Sequence, residues 1–94
     1  MTPAEALLRA AALVGRGWCQ GHYATDRGGV DDGPCYDAHG AICAAVEPGP
    51  IRSAAHCAME RTVNHISVIC WNDAPGRTQA EVVQALRAAA ETCA

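Results

Sequence analysis

A proline–glycine turn at residues 72–77 constrains this chain more than any other feature of its sequence. Pro75 disfavours helical backbone at the preceding residue, so we expect a helix arriving from residue 66 to end near Asn72 or Asp73. Gly76 tolerates positive φ and allows the chain to reverse. The turn therefore predicts one helix before it and a new element directly after it.

The residues after the turn predict an amphipathic C-terminal helix. Thr78 and Glu81 have the spacing of a capping box, in which each side chain accepts a hydrogen bond from an otherwise unpaired amide. Apolar residues then recur at helical spacing and form one stripe: Val82, Leu86, Ala89 and Cys93.

A second capping box, formed by Thr2 and Glu5, opens the chain, with Pro3 at the first helical position. We expect helix one to run from about Pro3 to Arg16, where two nearby glycines end it.

The middle of the chain is less regular. Residues 19–35 are rich in Gly and Asp and predict a long loop, which is either functional or mobile. Asp37 is expected to cap a short helix that ends at the Glu-Pro-Gly-Pro stretch of residues 47–50. Ser53 is expected to cap the next helix.

Residues 63–71 are rich in β-branched side chains, which suits a buried strand. We favour a helix, because no second strong strand exists to pair with them. The helical stripe would contain Met59, Val63, Ile66 and Cys70.

Ninety-four residues predict one domain. Phe is absent, so Trp18 and Trp71 are expected to contribute to one core that is otherwise made of small residues. The predicted fold is all-α: a compact bundle of four to five short helices with one long Gly/Asp-rich loop.

Charge and hydropathy limit the classes of function. The net charge of −3 argues against nucleic-acid binding and against a membrane surface, and no apolar run is long enough to span a membrane. The first residues lack the basic leader of a signal peptide. We therefore expect a cytoplasmic protein with reduced cysteines.

Two motifs carry a resemblance to a known family. Residues 17–21 read GWCQG, and residues 71–82 contain the pattern WND-x3-RT-x2-EV. The sequence resembles a family of small uncharacterised helical domains, of unknown function, from high-GC bacteria and their phages. The resemblance spans nearly the whole chain and implies a helical domain, without an established activity, cofactor or catalytic residue.

One constellation suggests zinc. Cys19 and His22 form one short pair, and Cys35 and His39 form another after twelve residues. Two thiolates and two imidazoles are the ligands of a tetrahedral zinc site, and the ion would order the loop. The alternative is that the cysteines are small buried hydrophobes and the histidines are solvated.

A second constellation suggests a ligand pocket beside the turn. An indole wall, polar side chains and an arginine near a helix N-terminus could hold a small anion. In the alternative, the same residues pack, cap turn amides and pair locally. The candidate ligand-binding residues are Trp18, Cys19, Trp71, Asn72, Asp73 and Arg77.

A cysteine enzyme is the third hypothesis. His56 and Cys57 are adjacent, but neighbouring residues on a helix point about 100° apart, so His56 cannot easily activate that thiol. The leading expectation is a non-enzymatic binding or interaction module for a protein partner or a small ligand, with a homodimer as one arrangement. A zinc-stabilised domain and a small enzyme that uses a cysteine or the Trp-Asn-Asp-Arg pocket are the alternatives.

Overall fold

The computed structural model describes residues 1–93, and these residues form five α-helices. The helices are α1 Pro3–Arg16, α2 Ala38–Ala45, α3 Pro50–Val63, α4 Val68–Asn72 and α5 Gln79–Thr92. The mostly helical prediction is confirmed, although the fold is not strictly all-α.

Both predicted capping boxes are present. In α1, Thr2 Oγ1 accepts from the Glu5 amide at 3.1 Å, and the Glu5 carboxylate accepts from the Thr2 amide at 2.9 Å. In α5, Thr78 and Glu81 make the same reciprocal pair at 3.2 and 3.0 Å. These local hydrogen bonds fix the first residues of the two helices that make the most extensive contact in the fold.

The core lies between α1, α2, α3 and α5, and more than half of its members are alanines. Small side chains let helices approach closely, so packing here depends on backbone proximity more than on large side chains. The indoles of Trp18 and Trp71 are only partly buried and pack against the edge of this core. Its largest fully buried apolar side chains are Leu7, Ile42, Met59 and Leu86.

The predicted Gly/Asp-rich loop contains a small sheet, which the all-α prediction missed. Strands β1 (Ala24–Thr25) and β2 (Cys35–Tyr36) pair antiparallel, and Trp18 makes a parallel bridge with Tyr36. These backbone pairs satisfy amides and carbonyls that no helix uses. The loop is therefore folded against the bundle along its two ends.

Gly40 on α2 permits this arrangement. A Cβ added at Gly40 would lie 1.8 Å from the Tyr23 carbonyl oxygen, so only a residue without a side chain fits there. Asp37 caps α2 as expected, with its Oδ1 accepting from the Gly40 amide.

The predicted helical continuity from Met59 to Cys70 is wrong. Asn64 ends α3 with φ 54° and ψ 49°, and Ser67 begins α4 by accepting from the Cys70 amide at 3.1 Å. Ile66 lies in the break between the helices and is 94% exposed, although it was expected on the buried stripe. Helix α4 ends at Asn72, where the turn predicts it.

The predicted start of α3 at Ser53 is also wrong. Helix α3 begins at Pro50, with Gly49 as its N-cap. Proline suits the first helical turn, because its fixed φ is helical and its missing N–H has no partner to lose there.

No helix within residues 1–93 combines the length and the apolar character needed to cross a membrane.

Candidate functional site

Residues 17–21 and residues 71–74 meet at Asn72, which is fully buried. Its Oδ1 accepts from the indole Nε1 of Trp18 at 2.7 Å and from the Ala38 amide at 3.1 Å. Its Nδ2 donates to the Cys19 carbonyl at 3.1 Å and to Asp73 Oδ1 at 2.9 Å. Every polar atom of this side chain therefore has a partner in the protein.

Further hydrogen bonds extend this contact between residues 17–21 and 71–74, which we call the motif junction. Gln20 Nε2 donates to the carbonyls of Asn72 and Ala74 at 3.0 and 3.1 Å. The Gly21 amide donates to Asp73 Oδ1 at 3.0 Å. The first motif therefore caps the end of α4.

Arg77 of the predicted ligand pocket is also engaged within the protein. Its guanidinium lies 4.1 Å from the ring centroid of Trp71, and its Nε donates to the Trp71 carbonyl at 3.0 Å. Its remaining arm pairs with Glu81 at 3.2 Å. The structure thus brings the six predicted ligand-binding residues into one region, but most of their polar groups bond to each other.

Cys19 and Cys35 lie in the same region without forming the predicted zinc set. Cys19 Sγ donates to the backbone carbonyl of His22 at 3.5 Å, and the side chain of His22 is exposed. Cys35 Sγ lies 2.7 Å from Thr25 Oγ1 and donates to the Arg27 carbonyl at 3.3 Å. Each of these thiols therefore donates a hydrogen bond to a backbone carbonyl of the loop.

Electrostatics make Cys19 a poor nucleophile. Burial raises the pKa of its thiol to about 12, and the thiol of Cys35 and the carboxylates of Asp37 and Asp73 add to the shift. Because the thiolate is the reactive species, a thiol that stays protonated at neutral pH is inert.

Asp37 is a second buried ionisable group beside the junction. Its Oδ2 has no hydrogen-bond partner among residues 1–93. Burial raises the pKa of this carboxyl to about 6, the Gly40 amide opposes the shift and the charge of Asp73 adds to it. The ionised carboxylate of Asp37 therefore destabilises the folded state at neutral pH.

A different group of side chains has metal-ligand geometry. His39, Cys43 and His56, which we call the His–Cys–His cluster, each offer one ligand atom, and these atoms all lie within 4.8 Å of one another. Cys43 Sγ lies 3.6 Å from His39 Nε2 and 3.9 Å from His56 Nε2. Of the four predicted zinc ligands, only His39 belongs to this group.

Two helices position the cluster. His39 and Cys43 are one turn apart on α2, so they share a face, and His56 approaches from α3. Arg52 fixes the corner between these helices by donating to the carbonyls of Cys43 and Val46, both at 2.7 Å. These hydrogen bonds connect the end of α2 and the turn at residues 46–49 to the first turn of α3.

The surroundings of both imidazoles disfavour their charged forms. Burial lowers the pKa of His39, with a contribution from the Arg52 charge. Burial also lowers the pKa of His56 to about 4, with contributions from His39 and Arg52. A neutral imidazole keeps one ring nitrogen with a free lone pair.

A cleft of about 240 Å³ opens beside the two imidazoles. The ionisable side chains that line it are His39, His56 and Glu60, and Ser67 adds a hydroxyl. Its apolar lining residues are Ile66 of the α3–α4 connection and Val68 and Ile69 of α4. The two imidazoles of the cluster therefore border an open cleft.

Sequence reasoning missed Cys43 and His56 as partners of His39. The spacing of His39 and Cys43 on a predicted helix could have indicated that they share a face. His56 could not be assigned, because its approach depends on how α3 packs against α2.

This fold and cluster define a small, mostly helical domain with a candidate metal centre. A family model matches residues 1–92, and the chain belongs to that family, the family of unknown function DUF6197. The resemblance to an uncharacterised domain family is thereby confirmed. No curated protein and no solved structure matches the chain.

Proposed function

We propose that this domain is a metal-binding module in which His39, Cys43 and His56 hold one zinc ion between α2 and α3. The supporting observation is the spacing of 3.6 and 3.9 Å between Cys43 Sγ and the two imidazole nitrogens. Zn–S and Zn–N bonds of about 2.3 and 2.0–2.1 Å at tetrahedral angles separate sulfur from nitrogen by about 3.6 Å. The three ligands can therefore reach one ion with small side-chain movements.

The donor set favours zinc over the hard cations. Calcium and magnesium prefer oxygen ligands, whereas a thiolate and two imidazoles suit zinc or copper. The same distances also fit two thiol–imidazole hydrogen bonds, and a direct binding measurement separates these two interpretations.

A bound ion would cross-link two helices that a short proline-rich turn connects. Because the metal binds the folded arrangement and needs a deprotonated thiol, binding couples to folding and releases a proton. A ligand at a hundred times its dissociation constant stabilises the folded state by about 2.7 kcal/mol. The ligand of the binding module is then a metal ion.

A reducing cytoplasm suits this function. All six cysteines are free thiols in the structure, including Cys43. A reducing compartment keeps such thiols available for metal. We therefore propose a cytoplasmic location together with the metal site.

The test is zinc binding by the full chain under reducing conditions. We expect one equivalent of zinc by elemental analysis after dialysis, and a higher melting temperature that a chelator reverses. Cobalt(II) loading should give the charge-transfer absorption of a metal-bound thiolate. Copper(I) competition then establishes which ion is preferred.

Two variants locate the site. Cys43→Ser should weaken zinc binding by about a hundredfold and remove the cobalt–thiolate band, since it takes away the only sulfur ligand. Cys57→Ser is the matched control, because Cys57 is exposed and adjacent in sequence to His56. Equal zinc affinity of the two variants, or no stoichiometric binding by the wild type, would refute the proposal.

A further inference from the structure

We infer that Glu60 is the fourth protein ligand of this centre, so that four side chains enclose the ion and no position is left for a substrate. This inference rests on the proposed metal site. It names a ligand outside the His–Cys–His cluster and decides whether the centre is structural or catalytic, since structural zinc sites have four protein ligands.

The first observation is the helical spacing of the potential ligands on α2 and α3. His56 and Glu60 are four residues apart on α3, as His39 and Cys43 are on α2. Residues at this spacing lie one above the other on the same face of a helix. Each helix therefore presents two potential ligands, one turn apart, towards the same region.

The second observation is that Glu60 lines the cleft beside the imidazoles. Glu60 lines the same cavity of about 240 Å³ as the two imidazoles, and its carboxylate lies outside the group of ligand atoms that are within 4.8 Å of one another. Its side chain is only partly buried and is long enough to change rotamer. His65, the nearest other imidazole in sequence, accepts from the Ser67 amide at 3.0 Å and lines a neighbouring cleft, which Glu60 also borders.

Glu60 is also available to bind an ion. The ion pairs within residues 1–93 are Arg27 with Asp32 and Arg77 with Glu81. The carboxylate of Glu60 is in neither of them. No salt bridge has to break before it reaches the centre.

Charge balance favours the carboxylate. A zinc ion with the Cys43 thiolate and two neutral imidazoles carries a net charge of +1. Arg52 adds positive charge close to both imidazoles. An uncompensated charge in a partly buried site is unfavourable, and the carboxylate of Glu60 brings the four-ligand centre to neutrality.

The experiment uses the cobalt(II)-loaded full chain, with azide as an external ligand. With the fourth position filled, we expect azide to leave the wild-type visible spectrum unchanged. Glu60→Ala vacates that position, so azide should shift its spectrum. We expect Glu60→Gln to lower zinc affinity by about tenfold or more.

Glu91→Gln is the matched control, because it removes an exposed carboxylate on α5 and should leave both readouts unchanged. The metal-free Glu60 variants should have the same melting temperature as the metal-free wild type, which excludes misfolding as the cause. An azide-sensitive wild-type spectrum, or unchanged zinc affinity in Glu60→Gln, would overturn the inference and leave a three-ligand site. Absence of cobalt binding by the wild type would instead overturn the proposed function itself.

Discussion

Replacing Asn72 by Asp should destabilise the domain by about 2–6 kcal/mol. The substitution keeps the two hydrogen bonds that Oδ1 accepts from Trp18 and Ala38 and removes the two that Nδ2 donates. The Cys19 carbonyl then loses its side-chain donor, and an unpaired buried polar group costs about 1–3 kcal/mol.

The second contribution is electrostatic. The new oxygen would stand where Nδ2 now lies, 2.9 Å from Asp73 Oδ1. Two carboxylates at this distance cannot both ionise freely, and each unit by which one pKa rises corresponds to about 1.4 kcal/mol. The repulsion between the two carboxylates therefore adds about 1–3 kcal/mol to the loss.

The assay is urea unfolding at pH 7, followed by far-UV circular dichroism and by tryptophan fluorescence, which reports the loss of contacts at Trp18. Gln84→Glu is the matched control, because it makes the same amide-to-carboxylate change at an exposed residue of α5. Exposed substitutions of this kind cost about 0.5 kcal/mol or less. Equal losses in the two variants would refute the central role of Asn72 in the motif junction.

Three further predictions concern stability. Gly40→Ala should cost more than about 3 kcal/mol in urea unfolding, because its Cβ would clash with the Tyr23 carbonyl, whereas Gly15→Ala, with open space around it, should cost nothing. In chelator-treated protein, the free energy of unfolding of Asp37→Asn should increase relative to that of the wild type by about 1–2 kcal/mol as the pH rises from 4 to 6. The folded-state pKa of Asp37 is raised, so its protonated form stabilises the fold at low pH and that stabilisation is lost through pH 6. A pH-independent difference in melting temperature would contradict this assignment. Ile66→Ser should leave the melting temperature unchanged, because that side chain is 94% exposed.

The starts of α1 and α5 could be predicted because their causes are local. The capping boxes at Thr2 and Thr78 need only residues three positions apart. The break between α3 and α4 was missed because the apolar stripe continues through it, while the left-handed backbone of Asn64 and the extended backbone of Ser67 interrupt the helix. The two short strands escaped detection because two-residue strands have no periodicity.

The candidate site was predicted in part. The sequence indicated that the residues around Trp18 and Trp71 matter, but it could not show that two segments more than fifty residues apart bond to each other. The polar side chains that suggested a ligand pocket instead form hydrogen bonds with backbone groups of the protein. The zinc hypothesis paired His39 with sequence neighbours, whereas packing brings it to Cys43 and His56.

The alanine-rich core limits how this sequence can vary. An alanine side chain has no rotamers to lose on burial, so ordering it is inexpensive, but helices packed this closely leave no volume for a larger residue. Substitutions that enlarge Ala10 or Ala58, both fully buried, would force helices apart. Natural divergence and laboratory libraries should therefore concentrate their tolerated core changes at the few bulky sites, Leu7, Ile42, Met59 and Leu86.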